Sequence, residues 1–398
     1  MTIRQILISA LFIRLLIIPF FFHPDIKDIN LRVSFLTSNG VTNIYEFLTH
    51  NPTTKVHAPD FVYPPITYFF LGGYQTIVHP LLGDNFNSWL FDFSGFASTS
   101  DYIFRYLLIL KIPYLIFDFM IGFLLLKIFK DESSQKKALF FWFFNPLNLY
   151  GTYMIGQFDI IPTSLMFFAW FLWEKKNSFT PGLLLGLAVS FKTFPLLLIP
   201  FFILDRKPQK QTIIFCLTAI LTYLLTIFPF ITSTAFQQNV LFSGLGQRIF
   251  ELHLNLLGVH ISIFMLMYFL LLGVKYYFKE LPLWSLITVT LLSMYALINF
   301  HPQWVIWVLP FLTLAFVKVK LNIWTVFSFF LIFFLIFIFY GDRFLLTGLL
   351  SPISPQFLEI PSITQLLDPK KVSIIMNIIH IFFGFSSGLI IWKVLKFK

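Results

Sequence analysis

The chain has 398 residues, of which 58% are hydrophobic, 20% aromatic and only 12% charged. So few polar groups cannot cover a water-soluble domain, and repeated apolar runs of roughly 20 residues read as transmembrane helices. The formal net charge of +10 sits mostly in short tracts between those runs, as the positive-inside rule produces, and calls for no nucleic-acid partner.

The first apolar run, 6–22, is longer than a signal-peptide core and lacks a small-residue cleavage site, so it reads as a retained anchor. Basic tracts follow at Lys127–Lys137, Glu174–Asn177, Asp205–Lys210, Lys275–Glu280, Lys318–Lys320 and Lys393–Lys398. Taken as cytoplasmic, they require the spans between them to come in pairs. Spans are predicted near 5–22, 102–128, 138–155, 159–173, 211–231, 254–273, 282–300, 303–317, 322–340 and 372–393. Residues 181–204 must leave and return within about 24 residues, too few for two crossings at about 1.5 Å per residue. A broken or re-entrant helix pair hinged near Lys192 is predicted there.

This map leaves outer loops at 23–101, 156–158, 232–253, around 301, and 341–371. Within the first, 61–82 is apolar enough to span, but counting it would put the Lys127–Lys137 tract outside. An interfacial or partly inserted helix is predicted instead. No internal repeat, low-complexity tail or soluble domain stands out, so 1–398 reads as one membrane-embedded unit of all-α polytopic class. The single cysteine, Cys216, lies within an apolar run and supports neither a disulfide framework nor a thiolate metal site.

Nearly all the unusual polar residues fall at one face of the membrane. Asp25 and Asp28 follow the first span in HPDIKD. Gln157 and Asp159 lie at the next outer turn, Arg248, Glu251 and His253 in another, and His301 and Gln303 in a further one. Lys192 sits at the hinge of the broken pair. Ionisable groups near membrane depth are costly and usually line a cavity, so their convergence marks a site.

Each residue also has a plainer reading. Asp25 and Asp28 would cap a helix in a solvated loop, and Asp159 would cap the helix after it. Lys192 would snorkel to an interface. Arg248 with Glu251 would form an exposed ion pair worth little. Tyr63-Pro64-Pro65 would mark only a helix entry, and Arg14 in the first span would pair internally or snorkel.

There is no Walker loop, HExxH, GxSxG or Cys/His cluster. What remains is carboxylates beside a membrane cavity, with Lys, Arg and His for phosphate. A carboxylate can take a proton from a hydroxyl, and cations can stabilise a departing phosphate. Sugar transfer from a lipid phosphate needs those two parts.

The order of features resembles the GT-C glycosyltransferases, multi-spanning enzymes that use polyprenyl-phosphate sugars. The resemblance covers most of the chain: an acid directly after the first span, YPPITY at 63–68, NPLNLYGTYMIGQFD at 145–159, GLLLGLAVSFKTFPLLLIP at 182–200, RIFE at 248–251 and NFHPQWVIWVLP at 299–310. The YPP element is similar to the ER glucosyltransferases that extend lipid-linked oligosaccharide. The GQFD and FKTFP elements are similar to the bacterial polyprenol-phosphate-mannose-dependent branch. Where the ER enzymes carry a more charged motif, this chain has His301-Pro302-Gln303.

The resemblance implies a bundle of about 11–12 transmembrane helices, with 23–101 as a long first extracytoplasmic loop that includes interfacial helices. It implies that the acid after the first span is the general base, Asp25 in preference to Asp28. It places Tyr63, Gln157 and Asp159 near the sugars, and Lys192, Arg248, Glu251, His301 and Gln303 around the donor. It implies an inverting hexosyltransferase that moves mannose or glucose from a polyprenyl-phosphate donor to a glycan or glycolipid acceptor. No cofactor or metal is expected, and the site would face outward from a bacterial-type plasma membrane. A transporter or flippase of a lipid-linked sugar is the alternative, since broken helices also suit transport. A polymerase or ligase that moves whole glycans is a third reading.

Overall fold

The computed structural model describes residues 1–51, 60–92, 100–205 and 208–397. It is an all-α membrane protein. Among the described residues, four helical segments are long and apolar enough to cross a membrane, and seven shorter apolar helices accompany them.

Helix α1, Ile3–Ile17, starts on a Thr2/Gln5 capping box and runs through a 3-10 turn to Phe20, where Pro19 stops regular α-helix. Helix α2, Pro24–Asn39, begins at once after it. Its N-cap is His23, whose Nδ1 accepts the Asp25 amide at 3.2 Å. Asp25 and Asp28 are therefore helical residues and not caps. Gly40, at φ +64°, closes α2 in the left-handed conformation. Helix α3, Pro65–Leu82, realises the apolar segment predicted over 61–82 and packs against α2.

Helix α4, Ile103–Ile128, is the second long span. The span predicted over 138–155 is not one helix. Helix α5, Glu132–Phe143, ends before Asn145-Pro146, because proline cannot continue it. A short turn and a π-helical segment, Tyr150–Ile155, then lead to Gly156 at φ +77°. A Cβ there would sit 2.7 Å from Lys111 Cε, so this turn takes glycine on both counts.

Helix α6, Ile160–Glu174, and helix α7, Phe179–Phe191, form the next pair. Helix α7 stops at Lys192, whose backbone is extended, and Phe194–Ile203 returns as a 3-10 and α segment. The predicted break near Lys192 is present. Gly182 and Gly186 let α7 approach helix α8, Gln209–Ile227: a Cβ on Gly182 would lie 1.8 Å from Thr218 Oγ1.

The span predicted over 254–273 is corrected. Residues His253–Leu256 and Val259–Ser262 form antiparallel strands β1 and β2, joined by Leu257 at φ +51° and Gly258 at φ +86°. Two successive positive φ values make the tight hairpin turn that matches strand twist. Helix α9 starts only at Ile263 and ends at Tyr277. Helices α10, Leu283–Leu297, α11, Leu309–Lys318, α12, Ile323–Phe339, and α13, Pro369–Lys396, complete the bundle.

Buried charge at the start of the bundle is held by hydrogen bonds. Arg14 on α1 lies 2.5 Å from Asp118 on α4, which also accepts Tyr153 Oη at 2.6 Å and Asn148 Nδ2 at 3.1 Å. The internal pairing expected of Arg14 is present. Lys111 on α4 donates to Phe21 O at 2.6 Å and Tyr153 O at 2.8 Å. One ammonium thus ties the end of the first span to the π-helical segment. It holds Asp25 and Gln157, each four residues further on, against each other.

Candidate active site

At the end of the bundle where α1 gives way to α2, a polar cavity of about 170 Å³ opens. One wall is the first turns of α2, with Asp25, Asp28 and Arg32. Facing it are Gln157 from the glycine turn, Lys192 from the helix break, and His301, Gln303 and Trp304 from the segment between α10 and α11. Tyr63, just before α3, closes it. Residues separated by up to 279 positions meet here, counting from Asp25 to Trp304 (304 − 25).

The two aspartates have different partners. Gln157 donates its amide to Asp25 Oδ2, and the other oxygen of Asp25 lies 3.5 Å from His23 Nδ1. Asp28 is taken by Arg32 at 2.9 Å, one helical turn on. Burial raises the Asp28 carboxyl above its ordinary pKa, against the opposing pull of Arg32. Burial lowers the His23 imidazole, and the nearby Asp25 and Asp342 resist that shift. His23 Nδ1 already accepts the Asp25 amide. The neutral ring therefore carries its proton on Nε2, which faces Asp342 at 4.0 Å.

Asp159 does not line the cavity. It is fully buried, and although it stands at the N-cap position of α6, its side chain caps nothing. Its Oδ1 accepts Lys192 Nζ at 2.6 Å and Trp307 Nε1 at 2.8 Å. The capping reading is thus replaced by a buried ion pair behind the cavity wall. Lys192 does not snorkel: its ammonium lies within 5.4–5.8 Å of the Tyr63, Phe158, Trp304 and Trp307 ring centroids.

His301 has its Nδ1 3.3 Å from Tyr340 Oη. Burial, then the charges of Arg248 and Lys192, push its pKa down to about 4. It is a neutral donor at physiological pH. Arg248 stands beside the cavity wall, stacked 5.6 Å over Trp304 and donating to Asn299 O at 3.2 Å. Glu251 is exposed and lies outside the cavity, and among the described residues it forms no ion pair with Arg248.

A second, apolar chamber of about 250 Å³ shares Tyr63, Lys192 and Trp304 with the polar one. Phe194, Leu197, Ile249, Ile298 and Trp307 line the rest. Trp307 stacks on Phe194 at 3.9 Å with the rings parallel within 1°, and on Trp304 at 4.8 Å. The sequence reading missed His23, Arg32, Trp304, Trp307 and Asp342. His23 was visible in HPDIKD as the residue between span and helix, and the two tryptophans as the aromatics of PQWVIW. Nothing local distinguishes Arg32 or Asp342.

Fold and cavity together define a polytopic membrane protein with a pocket of carboxylate, imidazole and cationic side chains at one end of its helices. The family model of glycosyltransferase family 87 matches residues 61–302, and the chain belongs to that family. The match includes Tyr63, Gln157, Asp159, Lys192, Arg248 and His301, while Asp25 and Asp28 precede it. The chain is also similar to GPI mannosyltransferase 1 of Saccharomyces cerevisiae, at 25% identity over 183 residues. That alignment covers 45% of this chain and 39% of the yeast protein, well under two thirds of it. No solved structure matches the chain.

Proposed function

We propose that the protein transfers a hexose from a polyprenyl-phosphate donor to a hydroxyl of a glycan or glycolipid acceptor, with inversion at the anomeric carbon. One observation carries this reading. A polar chamber sized for a sugar and an apolar chamber share a wall built from Lys192, Tyr63 and Trp304. A lipid-phosphate sugar has the same order of parts: hexose, phosphate, apolar chain. The yeast relative is called a mannosyltransferase, which favours mannose over glucose.

In the proposed reaction Asp25 takes the proton of the acceptor hydroxyl. Gln157 holds one carboxylate oxygen of Asp25 in place, and His23 lies beside the other. The freed oxygen attacks C1 from the face opposite the phosphate. The C1–O bond to phosphate breaks, and its electron pair leaves on polyprenyl phosphate. Lys192, Arg248 and neutral His301 meet that developing charge. Asp28, engaged by Arg32, orients sugar hydroxyls. Gln303 lines the same cavity as a further hydrogen-bonding group. The reaction as proposed uses no metal, so chelator should leave the rate unchanged.

The lysines at the far end of the bundle favour a cytoplasmic location for that end, which puts the cavity on the outer face. The GQFD and FKTFP elements favour a bacterial-type plasma membrane. The decisive experiment is turnover of purified protein against a panel of polyprenyl-phosphate hexoses and pentoses. Transfer of one hexose, lost in Asp25→Asn, is expected. No transfer from any of them, with whole glycans moved instead from lipid pyrophosphate, would replace this reading.

A further inference from the structure

At the opposite end of the bundle five lysines line a cleft of about 630 Å³: Lys127, Lys130, Lys175, Lys279 and Lys318. Helix α6 runs between the two regions. Its 15 residues, starting next to Asp159 and ending at Glu174, separate them by about 22 Å. The cleft is therefore remote from the sugar-binding cavity.

Lys318, the last residue of α11, is half-buried, with its ammonium between two indoles. It lies 6.0 Å from the Trp170 ring centroid and 5.5 Å from that of Trp284. Among the described residues it makes no hydrogen bond or ion pair. Asp205, one of three carboxylates on the cleft, is already engaged by Lys275 at 2.7 Å and by Trp173 Nε1 at 2.8 Å. The cleft thus carries five ammonium groups against three carboxylates. The other two carboxylates are Glu174 and Glu280, and Phe171, Leu283 and Phe397 give the cleft an apolar side.

Positive charge against an apolar wall at helix ends is the chemistry that recognises an anionic lipid headgroup. A half-buried ammonium set against ring faces, with Glu174 of the same cleft acting on it electrostatically, still gains from an anion brought to it. We propose that this cleft binds the phosphate of an anionic glycerophospholipid, with Lys318 on the phosphate and the two tryptophans against the glycerol and first methylenes. The proposal does not depend on which sugar donor the enzyme uses.

The test titrates the purified full-length protein in detergent with short-chain phosphatidylglycerol, short-chain phosphatidylcholine and inorganic phosphate. Tryptophan fluorescence and the thermal midpoint are read together, since a ligand that binds the folded state raises the midpoint. Phosphatidylglycerol should bind saturably and stabilise, and phosphatidylcholine should do neither. Lys318→Gln should weaken phosphatidylglycerol about fivefold, the effect of one lysine near a lipid phosphate, and Lys318→Arg should restore it. If Lys318→Gln fails to fold, the exposed pair Lys127→Gln/Lys279→Gln decides, with weakening in the same direction expected. Equal binding of the two lipids, or unchanged affinity in these variants, overturns the proposal. Saturation by inorganic phosphate alone, with the same dependence on Lys318, overturns it as a lipid site.

Discussion

The Lys192 ammonium lies 2.6 Å from Asp159 Oδ1, joining the break after α7 to the start of α6. The carboxylate is wholly buried, while the lysine reaches the cavity. Removing Lys192 therefore does two separable things. It deletes a cation from the proposed phosphate position and leaves a buried charge without its partner, which costs about 3–5 kcal/mol. Lys192→Met should lose both transfer activity and thermal stability. Lys192→Met/Asp159→Asn should regain most of the stability and none of the activity. A single variant with wild-type melting would mean the pair is not a structural anchor.

Asp25 and Asp28 share one face of α2 but not one set of partners. Asp25→Asn should lower kcat by about 10²–10⁴-fold, the range for loss of a general base. Asp28→Asn should act mainly on KM, because Arg32 already engages its carboxylate. Gln157→Ala should lower kcat by less than Asp25→Asn does, since it frees the base to turn without removing it. Wild-type turnover in Asp25→Asn would move the base assignment to Asp28.

The depressed His301 pKa, about 4 against an ordinary 6.5, has a direct consequence for stability. Between those two values the unfolded chain binds a proton that the folded chain does not. Stability from this group is complete above pH 6.5 and is lost as pH falls towards 4. Melting midpoints recorded across that window should decline in the wild type and decline less in His301→Gln. Parallel curves would show that another group controls the slope.

Gly156→Ala should be costly at a position with no side chain to lose. Its φ of +77° disfavours any Cβ by roughly 1–2 kcal/mol, and the added methyl would press on Lys111 Cε, 2.7 Å away. Lys111 holds Phe21 O and Tyr153 O, so its displacement shifts Asp25 relative to Gln157. Reduced kcat together with a lower melting midpoint is expected. A purely thermal effect, with kcat intact, would separate the clamp from the chemistry.

Much of the architecture was legible because a bilayer makes composition decisive. Long apolar runs bounded by lysines can satisfy their backbone only as helices, which is why Ile103–Ile128 and Pro369–Lys396 lie close to where hydropathy put them. The break at Lys192 followed from counting residues against bilayer thickness. Two boundaries were misread for local reasons that hydropathy ignores. Asn145-Pro146 ends a helix within an apolar run, and Leu257-Gly258 turns HLNL back on VHIS, where Leu and Val disguise a hairpin as a span.

The sequence by itself determined the class of the protein and most of the polar residues at one membrane face, since ionisable groups are too costly in hydrocarbon to be scattered there. It also held Asp25, Asp28, Gln157, Lys192 and His301 as candidates, and all five line one cavity. Only the tertiary structure decided what each of them touches. MIGQFDIIP shows the difference: its amide and its acid, two residues apart, point to separate duties. Gln157 donates to Asp25 in the cavity, and Asp159 turns inward to hold Lys192 and Trp307. Spacing along the chain cannot distinguish these outcomes, because hydrogen-bond partners are chosen by side chains that arrive from distant helices.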